Sequence, residues 1–303
     1  MLEERIPAPA GINIKKEALI TILVCTGISM FFLRTGILSI FYLIPLGYAV
    51  LTTGLFMFTF IVAALSNLIH VLGTSFITPE NNANMWLDIF YITSLFLLFT
   101  WIIGGKNIRT AYRFLLASAA GAIVFLIVIN RADSVFFSVF TQMAKIFMPS
   151  SDPQELYDAA NNILMRGGSF VSILLMFFIN RQISIAAASF IKRQKIYSGL
   201  SSFAAPLNAI WILIGSLLTV VITNIFKIEA LEILSWNVLV ISAVIFLVQG
   251  IAILMFLLSK RTPGFRIGIN ILFILVLLSP IGVFAAGALL VLGIIENFRP
   301  IRR

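Results

Sequence analysis

The sequence predicts an all-α fold, a polytopic bundle of transmembrane helices with eight or nine spans. Of its 303 residues, 60% are hydrophobic and only 11% are charged. The mean hydropathy is +1.08, far above that of soluble domains. The apolar residues fall in uniform runs, most of them about 16 to 25 residues long, whereas barrel strands alternate apolar and polar residues over about 10. We therefore treat residues 1–303 as a single integral membrane domain.

The candidate spans divide the chain into two halves around a long loop. The nine apolar runs lie at residues 18–34, 36–51, 53–73, 86–104, 111–130, 167–191, 207–226, 236–258 and 267–295. The first five form an N-terminal half (18–130), the loop covers 131–166, and the last four lie in a C-terminal half (167–303). The last run is long for one crossing and is interrupted at Pro280, so it either crosses once with a kink or re-enters the membrane.

Blocks of basic residues between the runs predict the orientation. The blocks on one side are Lys15 and Lys16; Lys106, Arg109 and Arg113; Lys192, Arg193 and Lys195; and Lys260, Arg261 and Arg266. The positive-inside rule makes that side cytoplasmic. The N-terminus is then cytoplasmic, and the chain is expected in the bacterial cytoplasmic (inner) membrane. This topology explains the net charge of +9, so no nucleic-acid partner is expected.

The long outer loop contains two predicted helices. Residues 133–148 place phenylalanine and other apolar side chains on one helical face, which is typical of an interfacial helix. A second helix is predicted to begin with Asp152 as N-cap, Pro153 at the first position and Glu155 at the third. The two helices either lie across the outer mouth as a lid or pack on lipid headgroups.

Several motifs are missing from the sequence, and their absence narrows the function classes. The chain has no GxxxxGK[ST] loop for nucleotide phosphates, and with His70 as its only histidine it has no HExxH metal motif. No carboxylate lies near the centre of a span, and the lone Cys25 provides neither an intrachain disulfide nor a thiolate cluster. We expect a non-enzymatic membrane protein with no metal and no cofactor of its own.

A group of polar residues falls at the outer membrane level, and we call it the outer cluster. Asn67 and His70 are three residues apart and share one face of the third span. Trp86 and Asp88 begin the fourth span, and Asn130 ends the fifth. These side chains predict one cavity for an unknown small molecule. In the alternative interpretation, Trp86 is an interface anchor and the amides form interhelical hydrogen bonds.

Two polar residues interrupt spans of the C-terminal half. Arg181 and Gln249 are each about the 14th residue of spans that enter from the same side, so they lie at one depth. A glutamine carbonyl accepts from a guanidinium, and Gly250 beside it allows a neighbouring helix to approach. We predict that Gln249 solvates Arg181, directly or through water. Alternatively, Gln249 bonds another helix and Arg181 extends to the cytoplasmic interface.

The C-terminal half resembles the YybS-type bacterial membrane proteins, a family of unknown function. The similar stretches are "FINRQISIAAASFIKRQ", "SSFAAPLNAIWIL" and "WNVLVISAVIFLVQGIAILMFLLSKR", and the matching residues include Phe203, Pro206, Trp211, Asn237, Gln249, Gly250, Lys260 and Arg261. The resemblance implies a relationship to the S components of energy-coupling factor transporters, which bind vitamins or metal cofactors and use separate ATPase subunits. It thus implies an S-component-like transport subunit that binds a vitamin-like or cofactor-like small molecule. The alternative function is that of a non-transporting scaffold or regulatory protein.

Overall fold

A computed structural model describes most of the chain as helix. It covers residues 16–77, 85–105, 110–131, 137–138, 140–142, 152–192, 203–259, 276, 282–299 and 301. Across these residues it contains ten α-helices of 11 residues or more and no strand. They are α1 (Lys16–Arg34), α2 (Leu43–Thr53), α3 (Phe56–Ile77), α4 (Met85–Gly104), α5 (Thr110–Arg131), α6 (Pro153–Ile163), α7 (Ser169–Lys192), α8 (Ala209–Phe226), α9 (Glu229–Ser259) and α10 (Gly282–Phe298).

Helix lengths confirm the predicted all-α polytopic bundle. In the described parts of the chain, seven helical stretches are long and apolar enough to cross a membrane: Lys16–Arg34, Phe56–Gly73, Met85–Gly104, Tyr112–Arg131, Pro153–Ile191, Ala209–Phe226 and Leu231–Leu258. The predicted run 36–51 corresponds to the shorter apolar helix Leu38–Thr53. Of the run 267–295, residues 267–275 and 277–281, with Pro280, lie outside the described residues, and the last part belongs to the shorter apolar helix Phe284–Phe298. Whether these two also cross the membrane, and hence the count of eight or nine spans, stays a prediction.

Backbone contacts divide the chain into two compact units, which we describe separately. Unit 1 comprises Met1–Leu164 and Gly168–Ser198, and unit 2 comprises Met165–Gly167 and Gly199–Arg303. By sequence, α7 belongs to the half that resembles the YybS-type proteins. Its contacts nevertheless group it with α1 to α5, where it packs against α2 and α5.

The core of unit 1 is built from aromatic and branched side chains on α2, α4, α5 and α7. Phe96, Phe99 and Phe177 are fully buried, and the rings of Phe99 and Phe177 lie 5.8 Å apart. Such ring pairs contribute beyond the area that they bury. This core fixes the relative positions of the helices that bear the polar residues of unit 1.

One stretch of unit 1, which we call the broken segment, is not a continuous helix. It consists of a 3₁₀ helix at Gly36–Phe41 followed by α2. Pro45 lies in the first turn of α2 and has no N–H to donate to the carbonyl of Phe41, so one continuous α-helix through this stretch would lose a hydrogen bond. The break leaves backbone carbonyls that need other donors.

The start of α6 confirms the predicted cap. Asp152 is the N-cap, its Oδ1 accepts from the N–H of Gln154 at 2.9 Å, and Pro153 follows at the first helical position. Of the predicted interfacial helix 133–148, the structure describes residues 137–138 and 140–142, all helical, and the remainder lies outside the described residues. Phe137 and Phe140 make edge-on contacts with Tyr157 of α6. The lid role of this loop stays a prediction.

Unit 2 is organised around α9, which packs against both α8 and α10. A Cβ atom added at Gly250 would overlap the carbonyl oxygen of Leu289, and one added at Gly293 would overlap that of Phe246. The later residue on α9, Gly250, thus meets the earlier residue on α10, Leu289, and the earlier residue Phe246 meets the later residue Gly293. The two helices therefore run antiparallel, with their backbones in direct contact at these glycines.

Candidate functional site

Asn67 lies at the contact between α3 and α4, which we call the α3–α4 seam. It continues a buried stripe at four-residue spacing formed by Thr59, Ala63, Asn67 and Val71. Its Nδ2 donates to Thr93 Oγ1 on α4 over 3.4 Å, a long and therefore weak hydrogen bond. Its Oδ1 is buried and has no hydrogen-bond partner. The seam thus contains a buried acceptor available to a further donor.

His70 lies one turn further along the same helix. Only the residues 78–84 separate α3 from α4, too few to return along the length of α4, so the two helices run antiparallel. Asn67 is opposite Thr93. In antiparallel helices, three residues forward on α3 correspond to three residues back on α4, so His70 is at the level of residue 90. The Nε2 atom of His70 is also buried without a hydrogen-bond partner. Two neighbouring side chains on one helix face therefore each have an unsatisfied polar atom.

Arg34, the last residue of α1, adds a charge to this group. The broken segment returns the chain between α1 and α3, so these two packed helices run in the same direction, and Arg34 lies at the same end of unit 1 as His70 and Asp88. Arg34 and Asp88 are both exposed, and no ion pair joins them. The sequence analysis did not assign Arg34 to the outer cluster, although the end of the first predicted span at residue 34 was a signal for it.

The contacts join one member of the outer cluster to α4, since Asn67 bonds Thr93. His70 lies on the same face of α3 as Asn67, and Asp88 lies in the first turn of α4. Trp86, in contrast, is 65% exposed, which fits its alternative interpretation as an interface anchor. Asn130 is also exposed, near the end of α5. That all five side chains line one cavity stays a prediction.

A second polar group in unit 1 holds the broken segment. On α7, Asn180 and Ser184 are fully buried. Asn180 Nδ2 donates to the carbonyl of Ile40 at 2.8 Å, and Ser184 Oγ lies 2.9 Å from the carbonyl of Ile44. From α1, Ser29 Oγ donates to the carbonyl of Tyr42 at 2.6 Å. Ser29 and Asn180 thus donate to two carbonyls around the break, while Ser184 has one proton for the Ile44 carbonyl and the Asn180 carbonyl of its own helix at 2.7 Å. A structural role is sufficient for these side chains.

Arg181, the neighbour of Asn180, is also buried, with 6% of its surface exposed. A guanidinium at this depth costs about 2.5 to 3.5 kcal/mol on insertion scales, so its burial in protein rather than in lipid is the expected arrangement. Arg113 on α5 is buried to the same extent, and its Nη1 donates to the carbonyl of Trp101 at 3.1 Å. Unit 1 therefore contains two interior arginines.

Gln249 has both ends of its amide bonded within unit 2. Its Oε1 accepts from the N–H of Ala205 at 2.8 Å, and its Nε2 donates to Asn297 Oδ1 on α10 at 3.0 Å. A glutamine in this apolar helix therefore joins the residues before α8 to the end of α10. Because Arg181 belongs to unit 1 and Gln249 to unit 2, their pairing stays a prediction. The alternative, in which Arg181 extends to the cytoplasmic interface, also stays a prediction.

The class of protein follows from the helices. Seven long apolar helices define a multi-pass α-helical integral membrane protein. Comparison with known proteins found no matching family model, no matching curated protein and no matching solved structure. Among the described residues, no group of three or more His, Cys, Asp and Glu side chains is placed to hold a metal ion. The buried unsatisfied atoms of the α3–α4 seam are then the observation that bears on function.

Proposed function

We propose that the chain is a solute-binding membrane subunit that takes up a small polar molecule at the outer end of the α3–α4 seam. In this proposal it is a YybS-like, S-component-like protein of the bacterial cytoplasmic membrane with its N-terminus inside. Transport energy comes from separate ATPase and transmembrane subunits, since the sequence lacks a nucleotide-phosphate loop of its own. The chain performs no enzymatic step.

The observation that supports the proposal most directly is the pair of unsatisfied atoms at the seam. Asn67 Oδ1 and His70 Nε2 are buried without hydrogen-bond partners, and such atoms cost free energy unless a ligand or water bonds them. Arg34 is the last residue of α1 and Asp88 lies in the first turn of α4, at the same end of unit 1. Polar groups that converge from three helices are the usual means of orienting a small ligand.

The test is mass spectrometry of small molecules and proteins that copurify with the full chain in mild detergent. We expect a vitamin-sized ligand with the wild type and its loss from Asn67→Leu. The matched control is Asn224→Leu, because Asn224 is exposed on α8 and bonds only the Val220 carbonyl of its own helix. His70→Ala provides a second variant at a partly exposed position, in case Asn67→Leu does not fold.

A non-transporting scaffold is the second candidate, and a specific observation favours it. Side-chain amides of both units are bonded to backbone: the buried Asn180 to Ile40 and, in unit 2, the half-buried Asn237 to the Met165 carbonyl at 2.6 Å. Such bonds stabilise a bundle without any ligand. The same preparations separate the two functions. Copurification of neither a small molecule nor an ATPase subunit would reject the transport proposal.

A further inference from the structure

Unit 2 contains two buried N–H donors without acceptors near the start of α9. They are Arg166 Nε and Trp236 Nε1. The stretch Met165–Gly167 belongs to unit 2 together with α9, so both donors lie within one compact unit. A buried donor without an acceptor costs free energy, and such a group in a native protein indicates a water or a ligand that completes it.

Two contacts hold the backbone before α7 against α9. An added Cβ atom at Gly167 would lie 2.9 Å from the side chain of Val240. One turn earlier on α9, Asn237 donates to the carbonyl of Met165 at 2.6 Å. The backbone of residue 166 therefore lies beside this part of α9.

The Arg166 side chain then runs back along α9 towards its start. Its Nη2 lies 2.8 Å from Glu232 Oε1, about two turns before Val240. Trp236 lies between these two contacts, because residues 232, 236 and 240 share one helix face at four-residue spacing. Nε precedes the Nη atoms along an arginine side chain, so the Nε of Arg166 lies at the level of Trp236. The two N–H donors are therefore at one level on one face of α9.

The charges of this group decide which acceptor fits it. The Arg166 guanidinium is paired with the Glu232 carboxylate, so the group has no net charge. An incoming anion would meet that carboxylate and be repelled by it. A carbonyl oxygen is uncharged and has two lone pairs, which suit two N–H donors.

The place of the group in the sequence indicates where such a carbonyl comes from. Trp236 begins the predicted apolar run 236–258, and Glu229 and Glu232 precede it. It thus lies at the border between the charged and the apolar part of α9. Tryptophan side chains at such borders lie at the level of the lipid headgroups. The ester carbonyls of a phospholipid lie at the boundary between its headgroup and its acyl chains.

We propose that Arg166 and Trp236 bind an ester carbonyl of a phospholipid near the start of α9. Arg166 is 36% exposed, so a lipid reaches the two N–H groups when this side chain rotates. The site belongs to unit 2, whereas the α3–α4 seam belongs to unit 1. The inference therefore goes beyond the proposed function and does not depend on it.

The experiment compares two bilayers that differ in the lipid linkage. The thermal midpoint of the full chain is measured in diester phosphatidylcholine and in diether phosphatidylcholine, which has the same headgroup and chain length but no carbonyls. We expect the wild-type midpoint to be about 2 to 4 °C higher in the diester bilayer, because that bilayer supplies an acceptor for two donors.

Conservative variants assign this difference to the two side chains. Trp236→Phe keeps an aromatic ring without the N–H, and Arg166→Lys keeps a positive charge for Glu232 without Nε. Each should lose about half of the difference between the bilayers, since each removes one of two donors. In the diether bilayer, Trp236→Phe should not lower the midpoint, because it removes a donor that has no acceptor there. The matched controls are Trp211→Phe on α8, at a side chain that is 72% exposed, and Arg131→Lys at the exposed end of α5, and both should keep the full difference.

Added compounds test the source of the carbonyl in the diether bilayer. Diacylglycerol supplies ester carbonyls without phosphate and should raise the wild-type midpoint to its diester value. Inorganic phosphate and the water-soluble ester triacetin should not. A rise with phosphate would mean an anion site, and a rise with triacetin a site for free solutes, and either result overturns the lipid assignment.

Two further results would also overturn the inference. One is an equal wild-type midpoint in the two bilayers, which would mean that the carbonyls are not recognised. The other is a full difference in both Trp236→Phe and Arg166→Lys, which would mean that the ester lipid acts elsewhere on the chain.

Discussion

The two units hold their helices together by different means. In unit 1, Gly47 on α2 makes room for a side chain: a Cβ there would overlap Ser184, whose hydroxyl reaches the carbonyl of Ile44. In unit 2, Gly250 and Gly293 make room for backbone, and α9 and α10 touch directly. Close approach in one unit thus brings a polar side chain to a broken backbone, and in the other it joins two unbroken helices.

The difference follows from the state of the backbone in each unit. The broken segment has carbonyls that a regular helix would satisfy internally, so Ser29, Asn180 and Ser184 supply donors. The helices α9 and α10 satisfy their own backbone, so direct backbone contact joins them at the glycines, and the bond from Gln249 to Asn297 adds to it. The largest effect in unit 1 should therefore come from the loss of a polar group, and the largest in unit 2 from the addition of bulk.

The largest effect is expected from Gly250→Ala. The added methyl group would overlap the Leu289 carbonyl, and backbone cannot move aside as a flexible side chain can. Overpacking of this kind costs about 1 to 3 kcal/mol, and we expect the upper end, about 3 kcal/mol. The free energy of unfolding, measured by titration with a denaturing detergent, checks the value.

The control for this prediction is Gly287→Ala on α10. A Cβ at Gly287 has nothing within 4 Å, and alanine favours helix over glycine by about 1 kcal/mol. Gly287→Ala should therefore leave the free energy of unfolding unchanged or raise it slightly. Equal losses in the two variants would show that the glycines matter for backbone conformation rather than for contact between α9 and α10.

The next effect concerns unit 1 and the substitution Asn180→Leu. Removal of the amide leaves the Ile40 carbonyl of the broken segment without its donor, which costs about 2 kcal/mol for a buried acceptor. Asn224→Leu is the matched control, because the exposed Asn224 bonds its own helix. If both variants lose the same free energy of unfolding, the bond to the broken segment adds nothing to stability.

Part of the fold could be predicted from the sequence because its signals are local. Run length and uniform apolarity predicted the helices, and the Asp152, Pro153 and Glu155 pattern predicted the start of α6. The broken segment was predicted as one span, although Pro45 was a local signal for a break within it. The grouping of α7 with the N-terminal helices had no such signal, because it depends on contacts distant in sequence.

The candidate site was predictable to a smaller extent. The spacing of Asn67 and His70 predicted their shared face, and antiparallel topology predicted their level relative to Asp88. The partners of Gln249 were not predictable, since Ala205 offers only a backbone N–H and Asn297 lies 48 residues away. Arg34 was omitted from the cluster because a single arginine at a helix end is also typical of an interface residue.

Gln249→Leu should have an intermediate effect in unit 2. It removes two hydrogen bonds and leaves the N–H of the buried Ala205 without an acceptor, for which we expect a loss of about 1.5 kcal/mol. Gln154→Leu on the exposed face of α6 is the matched control. A double-mutant cycle with Arg181→Ala also tests the predicted pair. Additive losses would reject a pairing between the two side chains, whereas coupling above about 0.5 kcal/mol would support it.

The smallest effect is expected from Glu232→Gln, at the point where α9 meets the residues before α7. Arg166 Nη2 lies 2.8 Å from Glu232 Oε1, and the two side chains are 36% and 15% exposed. Next to this pair, Gly167 has a φ of 104°, which ends the helical geometry at the same place.

Because the pair is partly solvated, its loss should cost about 0.5 kcal/mol, and salt should screen it. Asn237 still bonds the Met165 carbonyl in the variant, so the local backbone should keep its position. The thermal midpoint of Glu232→Gln should therefore lie slightly below that of the wild type at low salt and approach it at about 0.5 M salt. Glu17→Gln, at the exposed start of α1, is the control and should show no such convergence. A difference from wild type that persists at high salt would mean that Glu232 acts through packing rather than through its charge.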